Sequence, residues 1–334
     1  MKSMDISDFT EGLSGNVIRP FQLEVSSLRG RIVRFDTVLQ EILTPHDYPE
    51  IVSQLLAETI TLCSLLSSML KYDGIFTLQT SGNGPISMLV ADVTSTGAIR
   101  GCAHYDEERL NVVTKQLAAF SNEVSESSDN HLAQLLGKGY IAFTVDQGGN
   151  TDRYQGIVEL KGKSLVDCVQ HYFTQSEQIN TGIKMAVGKR GGKWRSAGLM
   201  LQHMPEDGGT KGVRDTSNMD EDDWRRSMIL MQSCTEAELL DPELDSHTIL
   251  LRLFHEEGVR VFEPIPLEHK CRCSEEKVEN VLILMTDEDR EEMIVDGSIA
   301  LTCEFCSKTY TLDPAIVDKK IKNLSDKIST HETS

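Results

Sequence analysis

Two cysteine pairs near the end of the chain, Cys271-Arg272-Cys273 and Cys303-Glu304-Phe305-Cys306, stand twenty-nine residues apart. Four thiolates in two short motifs suit zinc, because soft sulfur ligands can close a tetrahedral shell without help from solvent. The second pair sits in SIALTCEFCSKTYTLD, which reads strand, turn, strand, a knuckle that aims two sulfurs at one point. Ser274 is placed to cap a helix over EEKVENVLILM, with Cys271 and Cys273 at its start. The positive end of a helix favours thiolates there. A second helix is expected over DEDREEMIV, ending at Asp296-Gly297, and Asp313-Pro314 opens a last one. A fragment of about sixty residues with few large apolar groups needs a staple. Zinc can supply roughly 10–16 kcal/mol of folding free energy in such sites. The expectation is one zinc ion per chain held by Cys271, Cys273, Cys303 and Cys306. A two-disulfide state of the same residues is the rival reading, and His269, two residues before Cys271, is an alternative ligand. A closed four-sulfur site leaves no open position for catalysis, which argues against a zinc hydrolase.

The rest of the chain says what such a device could control. YPEIVSQLLAETITLCSLLSSMLKYDG is the clearest helix: Pro49 suits a first turn, Gly74 a stop, and Ile51, Val52, Leu55, Leu56, Ile60, Cys63, Leu66 and Leu70 follow helical spacing. GIFTLQT and ISMLVADV flank an Asn83-Gly84 turn as a hairpin, with AIRGCAHYD as a third strand. KGYIAFTVDQ and RYQGIVEL follow, then a helix LVDCVQHYFTQSEQ capped by Ser164, and the strands TGIKMAV and WRSAGLMLQHM. GKRGGK joins two strands and does not open a helix, so it is no phosphate loop. Cys63, Cys102 and Cys168 fall among apolar neighbours and read as core. From about Glu206 the chain turns polar, and Met219 to Glu257 carries eleven acids against three arginines. Thr235 and Glu238 form a capping box. Short helices of this kind are marginal in water unless they dock. The fold class is α+β: a mobile N-terminal arm (1–24), a β-rich mixed domain (25–205), an acidic helical linker (206–265) and a small C-terminal four-cysteine zinc domain (266–325).

A net charge of −19 repels phosphate and counts against nucleic-acid binding. No continuous run of about 18 apolar residues is present, and the N-terminus lacks the pattern of a secretory signal. The expected location is the cytoplasm, with no membrane partner. In that reducing setting paired cysteines bind metal or do redox chemistry. No paired-acid, nucleophile–base or HExxH signature suggests an enzyme.

RGRIVRFD, HDYPEIVSQLLAE, LKYDGIFTLQTSGNGP, ADVTSTGAIRG, LLGKGYIAFTVDQGGNTDRYQGIVEL, YFTQSEQI, LLDPEL, LRLFHEEGVRVFEP, CRCSEEKVEN and TCEFCSKTYTLD stand in this order along the chain. In these stretches, from about Leu28 to Leu312, the sequence resembles the thirty-three-kilodalton heat-shock protein family of redox-regulated bacterial chaperones. The acidic arm and the MDEDD insert are less typical. The resemblance implies an ATP-independent holdase, inactive while the four reduced cysteines hold zinc. Peroxide with unfolding stress would then join Cys271 to Cys273 and Cys303 to Cys306, release zinc and unfold the linker. The active form would hold unfolding or oxidised client proteins, as a homodimer. Cys234, in the linker, could then form a stray disulfide. Two other classes stay open on the residues alone. A thiol–disulfide oxidoreductase would need its CxxC at a helix start. A zinc-ribbon binding module would have to tolerate the acidity.

Overall fold

Val17–Leu23 is a strand, β1, which corrects the second half of the expected arm; residues 1–14 lie outside those described. The computed structural model describes residues 15–26, 28–70, 72–120, 131–148, 153–203 and 217–331. Pro20 hides β1 in the sequence, since proline cannot donate to a ladder and normally marks an edge or a break. One of its flanks is paired locally and the other with remote strands. β1 pairs antiparallel with β2 (Leu28–Phe35) on one side. On the other it pairs with β10 (Val259–Val261) and β11 (Ile265–Pro266), Phe21 standing opposite Val261. With β8 (Thr181–Arg190) and β9 (Lys193–His203) the first sheet runs β10-β1-β2-β9-β8. GKRGGK closes the β8–β9 hairpin, with Gly191 and Gly192 both in the left-handed region at φ 58° and 78°.

The second sheet contains β3 (Ile75–Gly82), β4 (Ile86–Thr94), β5 (Ala98–Tyr105), β6 (Gly139–Asp146), β7 (Tyr154–Glu159) and β12 (Glu268–His269). Its order is β12-β5-β4-β3-β6-β7, and β12 joins β5 in parallel. A short helix, α1 (Thr37–Leu43), leads to α2 (Glu50–Ser67). α2 packs on β2, β8 and β9 of one sheet and on β3, β4 and β5 of the other. A helix covered on both sides must be apolar nearly all round. Val52, Leu55, Leu56, Ile60, Cys63 and Leu66 are buried, and so are Thr59, Thr61 and Ser64. Their hydroxyls are satisfied locally: Thr59 and Ser64 donate to the Leu55 and Ile60 carbonyls at 2.8 and 2.9 Å, and Thr61 meets Ser196 Oγ at 2.7 Å. Although the sequence holds no unbroken apolar run, α2 is long and apolar enough by length and composition to cross a membrane, and 78% of that span is buried in this fold. α3 (Glu107–Phe120) and α4 (His131–Leu136) were not anticipated. α5 (Leu165–Tyr172) starts at the expected cap, Ser164 Oγ accepting Asp167 N–H at 3.1 Å. The expected helix continues past α5 as a π-helical turn over Phe173–Glu177 and stops at Gln178.

The first sheet is apolar on both faces. Ile18, Val33, Phe35 and Met200 join the core around α2. Phe21, Leu23, Leu28, Ile32, Leu199 and Leu201 line the opposite side. Side chains alternate along a strand, so a two-faced strand needs neighbours such as Ile32 and Val33. The second face is covered by α6 (Ser217–Ser233), α7 (Glu236–Leu239) and α8 (Ser246–Phe254), through Met231, Cys234, Leu239, Leu240, Ile249, Leu250 and Phe254. The segment expected as a linker is thus a docked outer layer over its described part. Phe254 stacks on Phe21 with ring centroids 6.0 Å apart. The buried guanidinium of Arg34 on β2 donates to the carbonyls of Leu244 and, at 2.6 Å, Asp241. Arg226 meets buried Glu257 at 2.6 and 3.2 Å. The capping box forms as expected: Thr235 Oγ1 accepts Glu238 N–H at 3.2 Å, and Glu238 accepts Thr235 N–H at 2.8 Å.

Half-buried Glu58 on α2 links this layer to pH. Burial raises its carboxyl to about 7, a hydrogen bond from Gln54 opposes the rise, and the like charge of Glu236 adds to it. The folded chain therefore holds this proton more tightly than the unfolded chain does. Its contribution to stability is full below the ordinary value of 4.5 and is lost as pH climbs through about 7. Glu58→Gln is expected to raise the melting temperature at pH 8 and leave it nearly unchanged at pH 4. Equal shifts at both pH values would contradict this.

The chain divides into two compact units, Met1–His269 and Lys270–Ser334. The second contains α9 (Glu275–Leu284), α10 (Asp287–Glu292), β13 (Ile294–Val295), β14 (Ser298–Thr302), β15 (Thr309–Leu312) and α11 (Pro314–His331). The helix expected over DEDREEMIV stops at Glu292, and Ile294–Val295 pairs with β14 instead. Asp296 and Gly297 both take positive φ (50° and 76°), as a tight hairpin turn requires. Among the described residues, the buried apolar cluster of this unit is Leu282, Ile299, Leu312 and Val317. Each contributes about 1.5–3 kcal/mol, little against the conformational entropy of ordering such a unit.

Candidate metal centre

The second cysteine pair is built by the β14–β15 turn. Cys303 N–H donates to the Lys308 carbonyl at 2.9 Å, and the Cys303 carbonyl accepts from Ser307 N–H at 2.8 Å and from Cys306 N–H at 3.3 Å. Ser307 sits at φ 56°, which folds the backbone back after Cys306. The first pair lies in the loop just before α9. Ser274 caps that helix, its Oγ accepting Lys277 N–H at 3.3 Å.

These two loops bring Cys271, Cys273, Cys303 and Cys306 together, with all four Sγ atoms within 4.8 Å of one another. Cys271 Sγ lies 3.7 Å from Cys303 Sγ, and Cys273 Sγ lies 3.5 Å from Cys306 Sγ. A tetrahedral zinc site with Zn–S bonds of about 2.3 Å has sulfur–sulfur edges of about 3.8 Å, so the cluster fits the ion. All eight cysteines are free thiols in this structure, the four of the cluster half-buried and the other four buried. Cys63, Cys102 and Cys168 are core residues as expected, and Cys234 is buried under α6–α8. His269 belongs to β12, opposite Ile99, and is not one of the clustered groups.

The cluster does not treat its thiols alike. Burial opposes ionisation of Cys271, but the backbone N–H of Cys273 and the neighbouring thiols outweigh it and bring the pKa down to about 7. Burial pushes Cys303 up and Cys306 up to about 12. A negative charge on one sulfur disfavours charge on the next. A bound cation removes that conflict.

Tyr310 is the contributor that sequence reading missed. Its hydroxyl donates to Cys273 Sγ at 3.1 Å, and this bond is the main reason its own pKa is pushed up to about 12. The ammonium of Lys308 lies 4.6 Å from the centre of its ring. The available signal was the alternation of β15, where Tyr310 and Leu312 share the buried side.

The comparisons with known proteins agree with one another. The sequence model of the family described as Hsp33 protein matches residues 16–313. The chain is 37% identical over 308 residues to the 33 kDa chaperonin of Caulobacter vibrioides (strain NA1000 / CB15N), covering 91% of this chain and 96% of that one. It is 36% identical over 317 residues to the 33 kDa chaperonin of Pseudomonas fluorescens (strain Pf-5), covering 94% of each. The crystal structure of the 33 kDa chaperonin (heat shock protein 33 homolog) from Thermotoga maritima superposes with a TM-score of 0.74. That match has 21% identity and covers 93% of this chain and 99% of that one; it speaks for the fold alone. The family match spans both units and includes all four clustered cysteines, and by it the chain belongs to the Hsp33 family.

Proposed function

We propose that this chain is an ATP-independent holdase chaperone switched by oxidation of the four-cysteine cluster. The observation that carries the reading is the convergence of Cys271, Cys273, Cys303 and Cys306 within 4.8 Å, in a member of the Hsp33 family whose C-terminal unit has, among its described residues, a small apolar cluster of Leu282, Ile299, Leu312 and Val317. In the reduced chain the four thiolates would hold one zinc ion, and zinc when bound supplies the cross-link between the two motifs. A thiolate attacks peroxide, the O–O bond breaks, and a sulfenic acid forms as hydroxide leaves. A second thiol then displaces the sulfenic oxygen as water and closes a disulfide, two electrons having passed to peroxide. Family resemblance pairs Cys271 with Cys273 and Cys303 with Cys306. The 3.7 and 3.5 Å contacts run between motifs, so the pairing rests on the resemblance.

Disulfide sulfurs no longer ligate, and a unit with so small a core then melts. Along the chain, β10, β11 and β12 connect α8 directly to Cys271. The layer of α6–α8, in which α7 and α8 are short helices that depend on docking, is the next structure to loosen. Their departure would uncover the sheet face carrying Phe21, Leu23, Leu28, Ile32, Leu199 and Leu201. That face would grip unfolding clients, in a homodimer, while the charge of −19 keeps the opened protein dispersed in the cytoplasm. An oxidoreductase reading is disfavoured because Cys303 and Cys306 lie between β14 and β15, not at a helix start.

Light scattering from a thermally unfolding client tests the reading. Chain treated with peroxide at heat-shock temperature should suppress aggregation near stoichiometric ratio, and reduced zinc-loaded chain should not. Equal protection by both forms would overturn it.

A further inference from the structure

We infer that Tyr310 is a positioning residue of the cysteine cluster. Its hydroxyl holds the Cys273 sulfur in the reduced site and slows the attack of that sulfur on electrophiles. The inference rests on reading the cluster as a zinc-binding redox site. The four sulfurs of the cluster differ in their hydrogen-bond donors. Cys271 receives the backbone N–H of Cys273, Cys303 that of Phe305, and Cys306 that of Lys308. These donors are part of the loops that form the two motifs, and no side-chain substitution removes them. Cys273 receives a side-chain donor, Tyr310 Oη at 3.1 Å.

The ring is held so that the hydroxyl has little choice. Tyr310 is 8% exposed, stands opposite Leu301 in the β14–β15 ladder, and shares its face of β15 with Leu312 of the core. The Lys308 ammonium over the ring, 4.6 Å from its centre, draws electron density from it and makes the hydroxyl a stronger donor. A hydrogen bond to an ionised acceptor is shorter and about twice as strong as a neutral one. It occupies a lone pair that would otherwise attack an electrophile. A disulfide sulfur is a far poorer acceptor, so the bond belongs to the reduced state and favours it. Partners of this kind, one step outside the ligands, orient and tune metal sites.

The test uses the full chain, zinc-loaded and reduced, as wild type and as Tyr310→Phe, which keeps the ring and removes only the donor. Iodoacetamide labelling is followed cysteine by cysteine by mass spectrometry, and zinc release by peroxide is followed in parallel. Cys273 in Tyr310→Phe is expected to be alkylated about threefold faster or more, with Cys303 and Cys306 unchanged and zinc content equal. Peroxide should release zinc from the variant faster by a similar factor. Incorporation of 3,5-difluorotyrosine at position 310, a stronger donor with the same ring, should slow Cys273 labelling and serves even if Tyr310→Phe folds poorly. Unchanged Cys273 labelling with both replacements would overturn the inference and leave Tyr310 a packing residue. If labelling responds but peroxide releases no zinc even from wild type, the positioning role stands and the redox reading fails.

Discussion

The double substitution Cys303→Ser/Cys306→Ser is expected to leave the C-terminal unit unfolded in reducing, zinc-supplemented buffer while the N-terminal unit keeps its fold. Serine is neither soft nor ionised near neutral pH, so two ligands are lost and with them most of a binding free energy of about 10–16 kcal/mol. What remains among the described residues is a core of Leu282, Ile299, Leu312 and Val317, together with the ion pair of buried Glu279 with exposed Lys320 and the Arg290 contacts to Leu282 and Met285 carbonyls. None of these replaces a metal staple. Amide hydrogen exchange is the direct check. Protection should vanish in α9 and α11 and persist in α2. A variant without bound zinc that still protects α9 would show that the cysteines do not hold this unit together. On the proposed function, the same variant should also restrain client aggregation without peroxide.

Phe254→Ala is expected to loosen the outer helical layer while the zinc cluster stays intact. Phe254 is fully buried and stacks on Phe21 of β1. Such a truncation costs about 3–5 kcal/mol, a large share of the stability of a layer whose α7 and α8 have only four and nine residues. Exchange in α8 and β10 should quicken by two orders of magnitude or more, with α2 and zinc content unchanged, and Phe254→Leu should do much less. If release of this layer is what exposes the client-binding face, reduced Phe254→Ala should protect clients partially. An intact α8 in the alanine variant would mean that Arg34 and Glu257 hold the layer by themselves.

The parts of the fold that were legible are those whose causes are local. The helix from Pro49, the Asn83-Gly84 hairpin, the Ser164 cap and the Thr235–Glu238 box each depend on residues within a few positions. β1 was not legible, because its partners β10 and β11 lie at the far end of the unit and Pro20 argues against a strand. The docking of α6–α8 was hidden for a related reason. It is written in the second apolar face of the first sheet, in residues such as Phe21 and Ile32 that read in sequence only as strand. The cysteine cluster was legible because few functions other than metal binding or redox need two thiol pairs at that spacing. Tyr310 was not, because an aromatic residue in a strand is ordinary until its hydroxyl is seen against Cys273.

The central claim couples two events, loss of zinc from the cluster and gain of client binding. A single experiment follows both: zinc-loaded reduced chain receives peroxide at heat-shock temperature, with a chromogenic chelator reporting zinc and light scattering reporting an unfolding client. Zinc release should precede or coincide with the onset of protection, and peptide mapping should find Cys271, Cys273, Cys303 and Cys306 oxidised while Cys63, Cys102 and Cys168 remain thiols. Zinc that leaves without any gain in protection, or protection that arises with zinc still bound, would contradict the switch.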